Sequence, residues 1–175
     1  MRKMITKPLN KILFLILAVS FCLNAYGFDE ETIKNSQLAV KMADNAISYY
    51  NQHGFKKTVA KINNNEPPFK VNEYTYTTLM NDHGIMLAHP AKPYLRNVNL
   101  LKFYHTDPQG KKFIEKILYV AKKGGGWVHY HYRKPESKNH RKTHSKYIHP
   151  RILYIKPIPG THLFFTVGFL TTAIH

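Results

Sequence analysis

Cysteine is almost missing from this chain of 175 residues, and Cys22 is the only one. With no second thiol, neither a disulfide framework nor a thiolate metal site can be built. Acids are scarce as well, 10 Asp and Glu against 26 Lys and Arg. Such a balance attracts anions of several kinds, including nucleic acid, lipid headgroups, polysaccharide and small acids, without choosing among them. Long apolar runs are also lacking: Ile12 to Leu23 falls short of the ~20 residues that a spanning helix needs. No nucleophile–base pair, paired-carboxylate motif or phosphate loop stands out. Gly124-Gly125-Gly126 follows a helical stretch instead of opening one, so catalysis is not expected. Nor are there internal repeats, or a linker that would divide the chain.

What is present at the start reads as an export leader. Arg2, Lys3, Lys7 and Lys11 precede the apolar run, and Ala25-Tyr26-Gly27 sets small residues at the −3 and −1 positions of a cleavage site. Residues 1–27 are therefore read as a signal peptide cut before Phe28, with an uncleaved anchor as the alternative. Bulky Phe21 directly before Cys22 does not fit a lipoprotein signal. Residues 28–175 then form one domain, periplasmic or secreted. Four of the 26 bases and none of the 10 acids lie in the leader, which leaves a formal charge of +12.

The domain is organised around Asp82-His83-Gly84-Ile85-Met86-Leu87-Ala88-His89-Pro90. Gly84 suits a tight turn, Ile85 to Ala88 a short strand, and Pro90 ends pairing because it has no N–H to donate. His89 is thus held at a strand end, either as a displayed binding group or as an ordinary histidine closing a hairpin.

Before it, Asp29-Glu30-Glu31 opens a helix whose stripe is Ile33, Val40, Ala43, Ile47 and Tyr50. Gly54 should cap it, with a second helix from Phe55 to Ile62. Tyr74 to Leu79 is β-rich. Residues 91–110 read as a loop anchored by Leu95, Val98, Leu100 and Leu101, and Lys111 to Lys123 as an amphipathic helix. Strands follow at Trp127–Tyr132, Ile148–Lys156 and Leu163–Leu170, with a basic hairpin loop from Arg133 to Ser145. Alternation sets Trp127, His129 and His131 on one face and Val128, Tyr130 and Tyr132 on the other. Short turns between strands imply an α+β fold: a PAS-like antiparallel sheet of about five strands, a long N-terminal helix and a second helix packed against it.

These segments resemble a known family. The stretch 82–90, then Asn99-Leu100-Leu101, Asp107-Pro108-Gln109-Gly110-Lys111, Ala121 to Val128, Pro150 to Lys156 and Pro159-Gly160-Thr161 come in the order seen in single Cache domains of the second type. The resemblance spans residues 30–172. It implies an extracytoplasmic sensor domain whose pocket takes a small organic acid, with no cofactor. Because the chain ends at His175, the expectation is a stand-alone exported protein that signals through a separate membrane protein. Two departures stand out: Arg151 occupies a position where the family usually has lysine, and the hairpin is longer and more basic.

The resemblance brings His89, Trp127, Tyr130, Arg151 and Tyr154 to one ligand pocket. Arginine can grip a carboxylate with two parallel hydrogen bonds, phenols can donate, and an indole can exclude water. Two rival readings stay open. Lys138, Arg141, Lys142 and Lys146 could make a salt-sensitive contact with an anionic surface, without specific nucleic-acid recognition. The crowding of His129, His131, His140, His144 and His149 could hold a metal, although no acid or cysteine stands at a structural-zinc spacing.

Overall fold

The computed structural model describes residues 29–135 and 144–171, and within these the side chains of all but 132–149. The leader expected at 1–27 and residues 136–143 of the hairpin loop lie outside the described residues. Among those described, no helix is long and apolar enough to cross a membrane.

Asp29 starts the first helix, its Oδ1 accepting from the Thr32 amide at 2.6 Å, as an N-cap does. Helix α1 runs Glu30–Asn63 and contains a break at Gly54, whose φ of 75° and ψ of 177° are not helical. The glycine thus separates two helical pieces at the position the sequence predicts. The buried face is rotated from the expected stripe. Ala43 of that stripe is buried, together with Ala39, Met42 and Ala46, whereas Ile33, Val40, Ile47 and Tyr50 are half-buried. Small side chains occupy the line of closest approach to the sheet, and the larger ones flank it.

Six strands form one antiparallel sheet: β1 (Tyr76–Asn81), β2 (Ile85–Ala88), β3 (Val98–Asn99), β4 (Gly126–Pro135), β5 (His144–Pro157) and β6 (Leu163–Leu170), in the order β3-β2-β1-β6-β5-β4. The α+β expectation holds, with one strand more than the five read from sequence. That strand comes from the stretch read as loop. A 3-10 turn at Pro93–Leu95, the two-residue β3 and a single helical turn, α2 (Leu100–Phe103), lie there. Each is too short to show a period. Strands β4 and β5 also run further into the hairpin than expected.

Helix α3 (Pro108–Lys122) begins three residues earlier than the apolar pattern suggests. Asp107 caps it, its Oδ1 accepting from the Gln109 and Gly110 amides, both at 3.1 Å, and Pro108 suits the first helical position.

The sheet separates two cores. Leu79, Ala88, Ile152, Phe165, Val167 and Phe169 face α1, and Lys156 adds an ion pair to Asp44 of that helix. Met80, Met86, Val128, Leu153, Ile155 and Phe164 face α3 and the 91–107 segment. Alternation along the strands makes most of this division; where the β1–β2 register shifts between Leu79 and Met80, Met86 and Ala88 fall on opposite sides although they are two residues apart. The second face holds the cavity.

Candidate ligand site

Between the sheet and α3 lies a cavity of about 770 Å³, within the usual range for small-molecule sites. Its floor is the second sheet face, row by row. Tyr76 of β1 pairs with Gly168 of β6, and Thr78 with Thr166. The two threonine hydroxyls share a buried hydrogen bond of 2.7 Å. Met86, Leu95, Leu100, Ile114 and Ile117 close the far end. Asp107, Gln109 and His131, all exposed, mark the mouth.

Arg151 is the central group, only 4% exposed. It leaves β5, crosses β6 above Gly168 and reaches β1. There Nη2 donates to the Tyr74 carbonyl at 2.7 Å and Nη1 to the Tyr76 hydroxyl at 3.3 Å, with the guanidinium 4.9 Å from the Tyr76 ring centroid. The crossing depends on what Gly168 lacks: a Cβ there would lie 2.9 Å from both Nε and Nη2 of Arg151. Tyr130, paired with Arg151 across the β4–β5 ladder, lines the same wall and packs on Phe113 at 4.2 Å.

His89 sits where the sequence places it, at the end of β2, and is buried at 6% exposure. Its amide donates to Asn63 Oδ1 at 3.1 Å, and its carbonyl accepts from Arg96 Nε at 3.0 Å. Strand β2 is thus tied to the C-terminus of α1. The imidazole Nδ1 accepts from the Ala91 and Lys92 amides at 3.1 and 3.0 Å. With Nδ1 an acceptor, the neutral ring carries its proton on Nε2 and is a donor there. Burial, then the charges of Lys92, Arg151 and Arg96, lower its pKa to about 3.

That shift sets an acid dependence. The unfolded chain binds the His89 proton near pH 6.5 and the folded chain only near 3, so the stabilisation is complete above 6.5 and is lost as pH falls toward 3. His89→Asn keeps an acceptor in place for the two amides but cannot titrate. Its unfolding free energy should therefore lack up to ~1.4 kcal/mol per pH unit of slope across that window. Urea titrations at pH 3.5 to 7 measure this, and equal slopes in the two proteins would refute it.

Lys92 lines the cavity on the turn after His89, and its pKa is lowered by burial and then by Arg151. Two cations thus converge on one space. Asp107 is the single acid among the described lining residues, and its carboxylate caps α3. Tyr104 lies against Gly110 at the mouth, its hydroxyl pKa raised by burial, then by Tyr94 and Asp107, which keeps the phenol protonated.

Of the five residues expected in one pocket, the structure brings His89, Tyr130 and Arg151 to the cavity and leaves Trp127 and Tyr154 on the opposite sheet face. Trp127 packs on Tyr154 at 4.6 Å and edge-on to Phe169 at 6.3 Å, beside α1. The reason is parity: Trp127 is three residues from Tyr130, and Tyr154 three from Arg151, so each points away from its partner. Tyr76, Thr78, Lys92, Tyr104, Thr166 and Gly168 were not singled out from sequence. A lone glycine inside a strand pattern, Val167-Gly168-Phe169, was the available signal for close approach. Among the described residues no group of three His, Cys, Asp or Glu gathers to hold a metal. His140, Lys138, Arg141 and Lys142, and the side chains of His144, Lys146 and His149, lie outside the described residues.

Residues 33–154 match the family described as single Cache domain 2. The chain belongs to this family. As a Cache-type domain it is a sensor and ligand binder by class, typically without catalysis. Solved structures agree on the fold. The periplasmic sensor domain of a chemotaxis protein superposes with a TM-score of 0.55 at 14% identity, covering 81% of this chain and 97% of its own. A Cache chemosensory domain described for its carboxylic acid recognition gives 0.52 at 17% identity, covering 86% and 97%. No curated protein matches this Cache chain in sequence.

Proposed function

We propose that this Cache domain works outside the cytoplasm and senses a small organic acid, with the carboxylate bound at Arg151. One observation carries the reading: a buried guanidinium is fixed on the wall of a sizeable cavity, with a second cation, Lys92, converging on the same space. Holding a half-buried ammonium beside a buried guanidinium is costly, and an anion between them offsets part of that cost. Arg151 would take the carboxylate as a fork, with Lys92 as a second charge and His89 Nε2–H, Tyr104 and Tyr130 as neutral donors. The solved relative known for recognising a carboxylic acid lends support by analogy, and the basic, apolar leader supports export.

The test is isothermal calorimetry of the full chain with short monocarboxylates, the family's expected ligand class, across pH 7 to 10. Carboxylate binding favours charged Lys92, so affinity should fall as pH rises through that residue's lowered pKa. Lys92→Met should bind more weakly and lose the pH dependence. Absence of binding by every acid tested would reject the proposal, and an unchanged pH profile in Lys92→Met would remove Lys92 from the site.

A further inference from the structure

Polarity is graded along the cavity floor. On the cavity face, β1 presents Tyr76, Thr78 and Met80 in succession, and their β6 partners are Gly168, Thr166 and Phe164. On β5 the same face sets Leu153 beside Gly168 and Ile155 beside Thr166, with Arg151 one step further out and its guanidinium reaching back over Gly168. The first row is the guanidinium end, the second is a threonine pair, and the third is wholly apolar. Four residues separate Tyr76 from Met80, about 13 Å at ~3.3 Å per residue. The roof follows the floor, because Leu100, Ile114 and Ile117 are buried over the apolar end, where Met86 of β2 extends the floor beside Met80.

Volume gives an independent argument. Allowing roughly the 30 Å³ of a water for each heavy atom, a four-atom acid fills about 120 Å³ of the approximately 770 Å³ present. Toward the mouth the remainder meets Asp107, Gln109 and His131, and at the other end methionine, leucine and isoleucine side chains. A buried water wants two to four polar partners, which that end does not offer.

We infer that the ligand class is a monoanionic amphiphile: one carboxylate at Arg151 joined to an aliphatic or aromatic body that lies along the Met80 end. This rests on the proposed carboxylate site and narrows it. A second carboxylate at the far end of the ligand would be stranded against apolar side chains, at a large desolvation cost.

The experiment is calorimetry of the full chain with straight-chain monocarboxylates from acetate to octanoate, phenylacetate, and dicarboxylates of matching length, repeated in Arg151→Met. Affinity should rise about four-fold for each added methylene through at least hexanoate. The dicarboxylates should lose that gain, and Arg151→Met should lose the binding. The heat-capacity change should become more negative with chain length. Tightest binding at two or three carbons, or dicarboxylates that match the monocarboxylates, would overturn the inference while leaving the carboxylate site in place. Chain-length dependence that persists in Arg151→Met would overturn it as non-specific apolar adsorption. Failure of every acid, acetate included, would overturn both.

Discussion

Arg151→Met should weaken binding of a carboxylate about a hundred-fold. A charge-assisted hydrogen bond is worth ~1.5–3 kcal/mol, and a fork makes two within one geometry. Methionine fills part of the vacated volume without a charge, so the fold should persist with a moderate loss. The Tyr74 carbonyl and Tyr76 hydroxyl would lose their guanidinium donors, at ~1–3 kcal/mol for a buried group left unsatisfied. Relieved of the neighbouring charge, Lys92 should also titrate closer to its ordinary range. Arg151→Lys is the sharper control. Lysine keeps the charge but not the planar fork that reaches both Tyr74 and Tyr76, so its affinity should fall between wild type and Arg151→Met. Calorimetry with thermal denaturation on the same samples separates binding from folding. A folded Arg151→Met protein that binds acids within three-fold of wild type would reject the assignment.

Most of the architecture was legible because its elements are long enough to show a period. Helix α3 and strands β4 to β6 announce themselves by apolar spacing, and Gly54 by its place between two helical runs. The segment 91–107 was not legible: a 3-10 turn, two residues of strand and one helical turn fall below any repeat length. That segment nonetheless supplies Lys92, Leu95, Leu100 and Tyr104 to the cavity. The α1 stripe is only partly legible: Ala43 is buried as expected, but the bulky Ile33, Val40, Ile47 and Tyr50 flank the buried line, and Ala39 and Ala46 complete it and let the helix approach the sheet.

At the site itself, His89 and Arg151 were identifiable as polar groups held at or within strands. Trp127 and Tyr154 were misplaced for a reason the sequence already contained. Alternation had set Trp127 opposite in face to Tyr130, and the same odd spacing separates Tyr154 from Arg151. Cross-strand geometry carried the remainder. Nothing local in Val167-Gly168-Phe169 says that an arginine from the next strand passes overhead, because that depends on the β5–β6 register.

The same register makes Gly168 a sensitive backbone position of the site. An alanine Cβ there would stand 2.9 Å from Arg151 Nε and Nη2 and 3.1 Å from Leu153 Cδ1. The end of a flexible side chain can usually move aside, but this one is held by the Tyr74 carbonyl and the Tyr76 hydroxyl, so moving it breaks those bonds. Gly168→Ala should therefore cost ~1–3 kcal/mol, the range for overpacking, and reduce carboxylate affinity at least ten-fold. Gly168→Val should reach the upper end of that cost and bind as poorly as Arg151→Met. A double-mutant cycle decides whether the guanidinium is the cause. In an Arg151→Ala background the arginine's obstruction is gone, leaving only the end of the flexible Leu153 side chain at 3.1 Å, and alanine in a strand interior is ~0.5–1 kcal/mol better than glycine. Gly168→Ala should then be neutral or stabilising, a change of sign that urea denaturation resolves. If the substitution costs the same in both backgrounds, the glycine serves the sheet alone and not the arginine's path across it.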